Sequence, residues 1–231
     1  MEDVAPALFK RLDRLYKSGI NSDAAITRLL GKESKNYLDA FDYAERAGGH
    51  ASRAFETVLT KDALPDGKMY YNIAQRTVRP ILEEVYENVA DYCVEAQAAL
   101  NEAAKIGIKA IKPDINDDRI VGMIDRLTEA ESIEDINWML DSPVENFAMS
   151  IIDNAIKKNA QFHYEAGLRP VIIRRARGKC CEWCQNLEGV HDYPVEDEMV
   201  FHRHKRCRCT NEYDPGNGRR QDVWGSKKNR G

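Results

Sequence analysis

From Ile73 to Leu100, apolar residues (Ile73, Val78, Ile81, Leu82, Val85, Tyr86, Val89, Tyr92, Cys93, Ala96 and Leu100) recur by threes and fours. That spacing puts them all on one side of a helix, and a stripe this long has to be buried against other helices. It predicts one long helix running to Gly107, with a kink allowed at Pro80, which lacks the N–H that the ladder needs. Cys93 sits on the stripe and reads as a small core residue.

The same period governs the chain up to about residue 166, with Gly and Pro between segments. Leu8, Leu12, Leu15 and Tyr16 define a first helix that Gly19 should stop, and Ser22 should cap a short second one containing Ile26, Leu29 and Leu30. A third starts near Ser34 with Tyr37, Leu38, Phe41, Tyr43 and Ala44, then meets Gly48 and Gly49, which predict a bend or a close helix contact, before Phe55, Val58 and Leu59. "LPDG" at 64–67 is turn chemistry. Two shorter helices follow at about 117–129 and 133–140, the latter capped by Ser132. "SPVE" at 142–145 then has the pattern of a capping box, with Ser142 as cap, Pro143 in the first turn and Glu145 closing it. The last helix runs through Phe147, Ile151, Ile152, Ile156 and Phe162 to Gly167.

Beyond Gly167 the period changes to short β-branched or alternating runs, "RPVIIRRAR", "GVHDYPV" and "RCRCTNEYD", which predict an antiparallel sheet of two or three strands. The expected fold class is therefore mainly α: a helical body at 1–167, a small antiparallel β-rich metal-binding part at 168–215 and a loose basic tail at 216–231 anchored by Val223 or Trp224, α+β overall. The charge divides at the same place. From Val171 onward there are 13 Lys+Arg against 9 Asp+Glu, net +4, within a chain whose net charge is −4. A basic tail on an acidic body suggests that the two parts face different partners.

Five of the six cysteines and three of the five histidines lie between residues 179 and 209. The start carries acidic residues before any apolar run, unlike a secretory leader, and no stretch approaches the roughly 18 apolar residues of a membrane span. A reducing compartment follows, where clustered cysteines hold metal rather than form disulfides. The spacing is Cys181-x2-Cys184-x19-His204-x2-Cys207-x-Cys209. Two short pairs joined by a loop of this kind converge on one tetrahedral ion, and the expected cofactor is Zn2+. Cys181, Cys184 and Cys207 with His204 make Cys3His; Cys209, facing the same way as Cys207 on a strand, is the alternative fourth donor. Cys180, His202 and His191 read as bystanders, and Trp183 as packing over the first knuckle. The metal, contributing on the order of 10 kcal/mol, is expected to stand in for a core that so small a sheet lacks.

Four protein donors leave no position for water, which argues against hydrolysis at the metal. A ββα-metal nuclease needs a helix with a metal-binding Asn, Asp or His after the knuckle, and here Gly, Pro and Asp follow Cys209. No phosphate-cradling loop, dinucleotide turn or nucleophile elbow occurs, so an enzyme and a small-molecule substrate are not expected. Arg174, Arg175, Arg177, Lys179, Arg203, Lys205, Arg206 and Arg208 flank the knuckles. They form either a solvated rim or a face for nucleic-acid phosphates.

"GLRPVIIRRARGKCCEWCQNLEGVHDYP" and "FHRHKRCRCTNEYDP" resemble the C-terminal part of the MuF-like minor head proteins of tailed bacteriophages and prophages. The likeness lies in the Cys-x-x-Cys knuckle, a Leu-x-Gly turn and a final His-x-x-Cys-x-Cys, carried here by Cys181, Cys184, Leu187, Gly189, His204, Cys207 and Cys209. It covers about 60 residues, and Lys205 stands where many members have proline. The resemblance implies a non-enzymatic virion component, made in the bacterial cytoplasm and placed at the portal vertex or capsid interior. It further implies contact with portal or major capsid protein and access to packaged double-stranded DNA, with no role for a membrane. The competing expectation is a zinc-dependent nucleic-acid-binding regulator whose helices dimerise.

Overall fold

The computed structural model describes residues 3–178 and 180–216. Lys179 and the expected anchors Val223 and Trp224, with the rest of 217–231, lie outside them. Helix α1 spans Ala5–Ser22 and buries Leu8, Leu12 and Tyr16, while Leu15 faces solvent. Gly19 does not stop it. A Cβ at Gly19 would lie 2.4 Å from Nδ1 of His50, so the glycine makes room for an imidazole from a neighbouring helix. The chain breaks instead at Asp23, which is extended and accepts from the N–H groups of Ala25 at 2.9 Å and Ile26 at 3.3 Å. Asp23 rather than Ser22 therefore caps α2, Ala24–Leu30.

Helix α3, Tyr37–Val58, is capped by Asn36 and passes through the glycine pair unbroken. A Cβ at Gly48 would come within 2.9 Å of the Glu145 backbone, so of the two expected roles the pair has the close helix contact. Two 3-10 turns, Lys61–Ala63 and Pro65–Gly67, carry the chain to α4, with Asp66 and Gly67 left-handed at φ 53° and 69°. Helix α4 spans the 33 residues Tyr71–Ala103 with Pro80 inside it, and buries the predicted stripe from Ile73 to Ala96. Burial pushes the Cys93 thiol well above its ordinary range, as expected for a core cysteine.

Helix α5 is Asp117–Glu129, with Asn116 as cap. The segment predicted as one helix over 133–140 is a four-residue α6, Ile133–Ile136, continued by a 3-10 turn, Asn137–Leu140; Ser132 does cap it. Helix α7, Ser142–Glu165, ends where Gly167 turns left-handed at φ 87° and the N–H of Leu168 returns to the His163 carbonyl at 3.0 Å. Helix α3 lies against α1, α4 and α7, and α4 also packs on α7.

Strands β1 (Val171–Arg175), β2 (Gly189–Asp192) and β3 (Thr210–Asp214) form an antiparallel sheet in the order β2-β1-β3. The protein is thus mainly helical with one small C-terminal sheet, as the sequence predicted. Ile172 pairs with His191 on one side and Tyr213 on the other, and Ile172 and Tyr213 are buried. Ile172, Leu187, Val200, Phe201 and Tyr213 join the same apolar core as the helices, through β3 on α3 and α7. The expectation of a sheet without a core is therefore corrected: it borrows the core of the body. The Tyr213 hydroxyl meets Nδ1 of His163 at 2.6 Å across that joint.

Candidate metal centre

The first knuckle is built by a short helix, α8, Glu182–Asn186. Cys181 stands at its start in an extended conformation and Cys184 lies one turn in, so the two side chains leave on the same side. Cys181 is exposed and Cys184 buried. The second knuckle is a tight turn in which the Cys207 N–H reaches the His204 carbonyl at 3.1 Å and Arg206 is left-handed at φ 58°. A non-glycine residue there costs roughly 1–2 kcal/mol and needs outside support. That support comes from α7. Ser142 Oγ accepts from the Arg206 N–H at 3.1 Å, Asn146 Nδ2 donates to the His204 carbonyl at 2.8 Å, and Glu145 takes Arg208 at 2.8 Å.

The predicted capping box is accordingly corrected. Asp141 occupies the cap position of α7 without a side-chain bond, Ser142 is already helical, and Glu145 points at Arg208. The pattern that reads locally as a cap is occupied in holding the second knuckle.

All five predicted donors come together in two groups that share Cys184. Cys181, Cys184 and His204 form one and Cys184, Cys207 and Cys209 the other, with the donor atoms of each within 4.8 Å of one another. His204 Nε2 lies 2.9 Å from Cys184 Sγ and 3.4 Å from Cys181 Sγ, and Cys184 Sγ lies 3.8 Å from Cys207 Sγ. Nδ1 of His204 is 2.8 Å from the Lys205 carbonyl, which can only accept. Nδ1 therefore carries the proton, and the Nε2 lone pair is aimed at the sulfurs, as in a metal-ligating histidine. The cluster could hold a metal ion. No family model, curated protein or solved structure matches this chain.

The thiols are already biased towards ionisation at one member. Hydrogen bonding from Cys209, helped by Cys184 and the nearby Arg203 guanidinium, holds the Cys207 thiol down to about 4 against the cost of burial. As the donor to that thiolate, Cys209 is pushed up, and burial pushes Cys184 up to about 11. Trp183 packs edge-on against the His204 ring with centres 5.6 Å apart, covering the knuckle as expected. The bystanders stay apart from the donors: His191 Nε2 meets the Leu187 carbonyl at 3.1 Å, His202 is exposed, and Cys180 joins neither donor group.

The flanking basic residues divide in a way the sequence did not show. Arg174 is 1% exposed, donates to the Val200 and His202 carbonyls and stacks against Trp183, so it is removed from the phosphate-facing set. Arg203 is removed for the same reason. Its side chain is 1% exposed, reaches the equally buried Asp153 at 3.0 Å and the Cys209 carbonyl at 2.8 Å, and lies over Phe41. Asn211 completes this buried group with a 2.8 Å bond to Asp153. Arg175 is paired with Glu212, Arg177 with Asp42, and Arg208 with Glu145 and Glu45. Among the described basic residues that flank the knuckles, Lys205 and Arg206 are the ones that reach solvent with no carboxylate nearer than 4.0 Å. Lys205 does so from above the Trp138 ring, at 5.3 Å.

Sequence reasoning missed Ser142, Glu145, Asn146 and Asp153 as parts of the site. Asp153 did leave a signal: it sits beside Ile152 and three residues before Ile156 on the buried side of α7, and a carboxylate there requires a partner.

Proposed function

We propose that this protein is a structural minor head protein of a tailed phage or prophage, whose C-terminal part is held by zinc. The zinc part of the reading is carried by one observation, that four thiols and an imidazole gather at the seam where the β part meets α7. The virion part rests on the resemblance of the knuckle sequence to minor head proteins. Thiolate and imidazole donors favour zinc over the oxygen-seeking cations, and a tetrahedral ion with Zn–S near 2.3 Å and Zn–N near 2.0 Å implies S–S and S–N separations of about 3.8 and about 3.5 Å. The 3.8 Å and 3.4 Å separations fit, whereas the 2.9 Å between Cys184 Sγ and His204 Nε2 is shorter than a bound ion would set and has to open when the ion enters. Four donors close the coordination sphere, so the ion holds the fold and does not activate water. Portal or major capsid protein is the proposed partner of the helical body, and of the described basic residues beside the knuckles Lys205 and Arg206 are the ones placed to meet packaged DNA.

The rival regulator needs a basic face, and Arg174 and Arg203 lie inside the protein while Arg175, Arg177 and Arg208 are neutralised by carboxylates. The deciding experiment looks for portal and capsid genes beside the gene of this chain, co-expresses the chain with them and sediments the assembled heads; a neighbourhood without such genes would itself overturn the reading. Incorporation into the heads is expected. A protein that stays in the supernatant and binds a DNA probe with steep salt dependence would replace this reading with the regulator.

A further inference from the structure

The centre offers five donors where a tetrahedral ion takes four, and the surplus is not distributed evenly. Cys184 Sγ belongs to both donor groups, while His204 occurs in one and Cys209 in the other. Cys184 is also fully buried between the two knuckles, so no other donor reaches both sides. We infer that Cys184 is the ligand common to every metal-bound arrangement, and that His204 and Cys209 are interchangeable fourth donors to the zinc proposed above.

Two independent anchorings carry this. His204 is held by its own Nδ1 bond to the Lys205 carbonyl and by Asn146, which grips its backbone oxygen from α7. Cys209 is held by Arg203, which donates to its carbonyl at 2.8 Å and is itself fixed by the buried Asp153. The anchors lie one and three turns along the same helix and share no residue. Removing one donor therefore leaves the other in place, because what orients each is the body of the protein and not the neighbouring ligand. In a conventional four-donor knuckle the loss of any ligand opens the shell; here the fifth donor closes it.

The inference rests on the proposed zinc centre, and the test separates the two. The full-length protein is prepared in zinc-containing medium and dialysed, and zinc is counted for the wild type, His204→Ala, Cys209→Ser, the double variant and Cys184→Ser. About one ion per chain is expected for the wild type and for each single variant at His204 or Cys209, with loss in the double variant and in Cys184→Ser. Circular dichroism checks that the helical body persists in the variants that lose metal. Cobalt loading supplies a second readout independent of stability. If His204 is the resident donor, His204→Ala adds one thiolate's share to the sulfur-to-cobalt charge-transfer band; if Cys209 is, Cys209→Ser removes one. A metal-free wild type overturns the zinc centre and this inference with it. Zinc in the wild type but lost from either single variant, or no change of the cobalt band in both, overturns the interchange alone.

Discussion

The helical body and the β part reach a defined structure by different means. In the body, long stripes on α1, α3, α4 and α7 bury aliphatic and aromatic side chains against one another, a force that is large and without direction. The β part contributes a handful of apolar residues to that same core, and its own loops carry directional groups: five thiol and imidazole side chains that could hold a metal, a buried ion pair and side-chain bonds from the first turns of α7. Apolar stripes tolerate substitution as long as volume and pattern are kept, whereas a donor set or a buried ion pair fails when one member is lost. Damage to the β part should therefore be severe, local and chemically specific.

Metal removal is the strongest way to break the comparison. Chelation is expected to withdraw on the order of 10 kcal/mol from the region around the knuckles. Hydrogen exchange should then show amides of 171–214 losing protection while α1, α3, α4 and α7 keep theirs. Simultaneous loss in both regions would mean that the two are one cooperative unit. Next in size is the Arg203–Asp153 pair, where Asp153→Ala leaves a buried guanidinium unpaired at a cost of about 3–5 kcal/mol in urea denaturation. Replacing both partners, with Arg203→Met and Asp153→Leu together, should recover most of that loss, because the desolvated charge goes with its mate.

A smaller effect tests the seam from the helical side. Gly48→Ala places a methyl 2.9 Å from the Glu145 backbone and should cost about 1–3 kcal/mol, read as a lowered urea midpoint. Because Glu145 carries Arg208, the same variant should loosen zinc retention, which a purely helical defect would not. The smallest effect is set by pH. Burial holds the His163 imidazole below its ordinary range, so the folded protein keeps it neutral while the unfolded chain takes up a proton below about pH 6.5. The unfolded state then binds more protons, so this contribution to stability is complete above about pH 6.5 and is lost as the pH falls through the folded value. His163→Gln should flatten that part of the stability profile, measured by thermal melts across the range.

Much of the architecture is legible in the sequence because the relevant rules are local. Spacing by threes and fours from Ile73 to Ala96 is sufficient for α4, a short β-branched run after Pro170 is sufficient for β1, and Cys-x-x-Cys with His-x-x-Cys-x-Cys is sufficient to gather the donors. Pairwise relations across the fold are not legible in the same way. Gly19 looks like a helix stop until His50 is seen against it, and Ser142 looks like a cap until Arg206 is seen to need its oxygen. Arg174 and Arg203 resemble Arg206 in sequence, yet they are buried and Arg206 is 73% exposed.

By itself, then, the sequence determined the mainly helical class, the change to strands after Gly167 and which cysteines and histidine gather into a cluster that could hold a metal, since each follows from the covalent spacing of neighbours. The tertiary structure alone decided which arginines are structural, which helix holds the second knuckle and that the sheet shares the body's core. A charge is costly or harmless according to what covers it, and the cover comes from residues distant in sequence: Val200 and His202 for Arg174, and Asp153, 50 positions away, for Arg203.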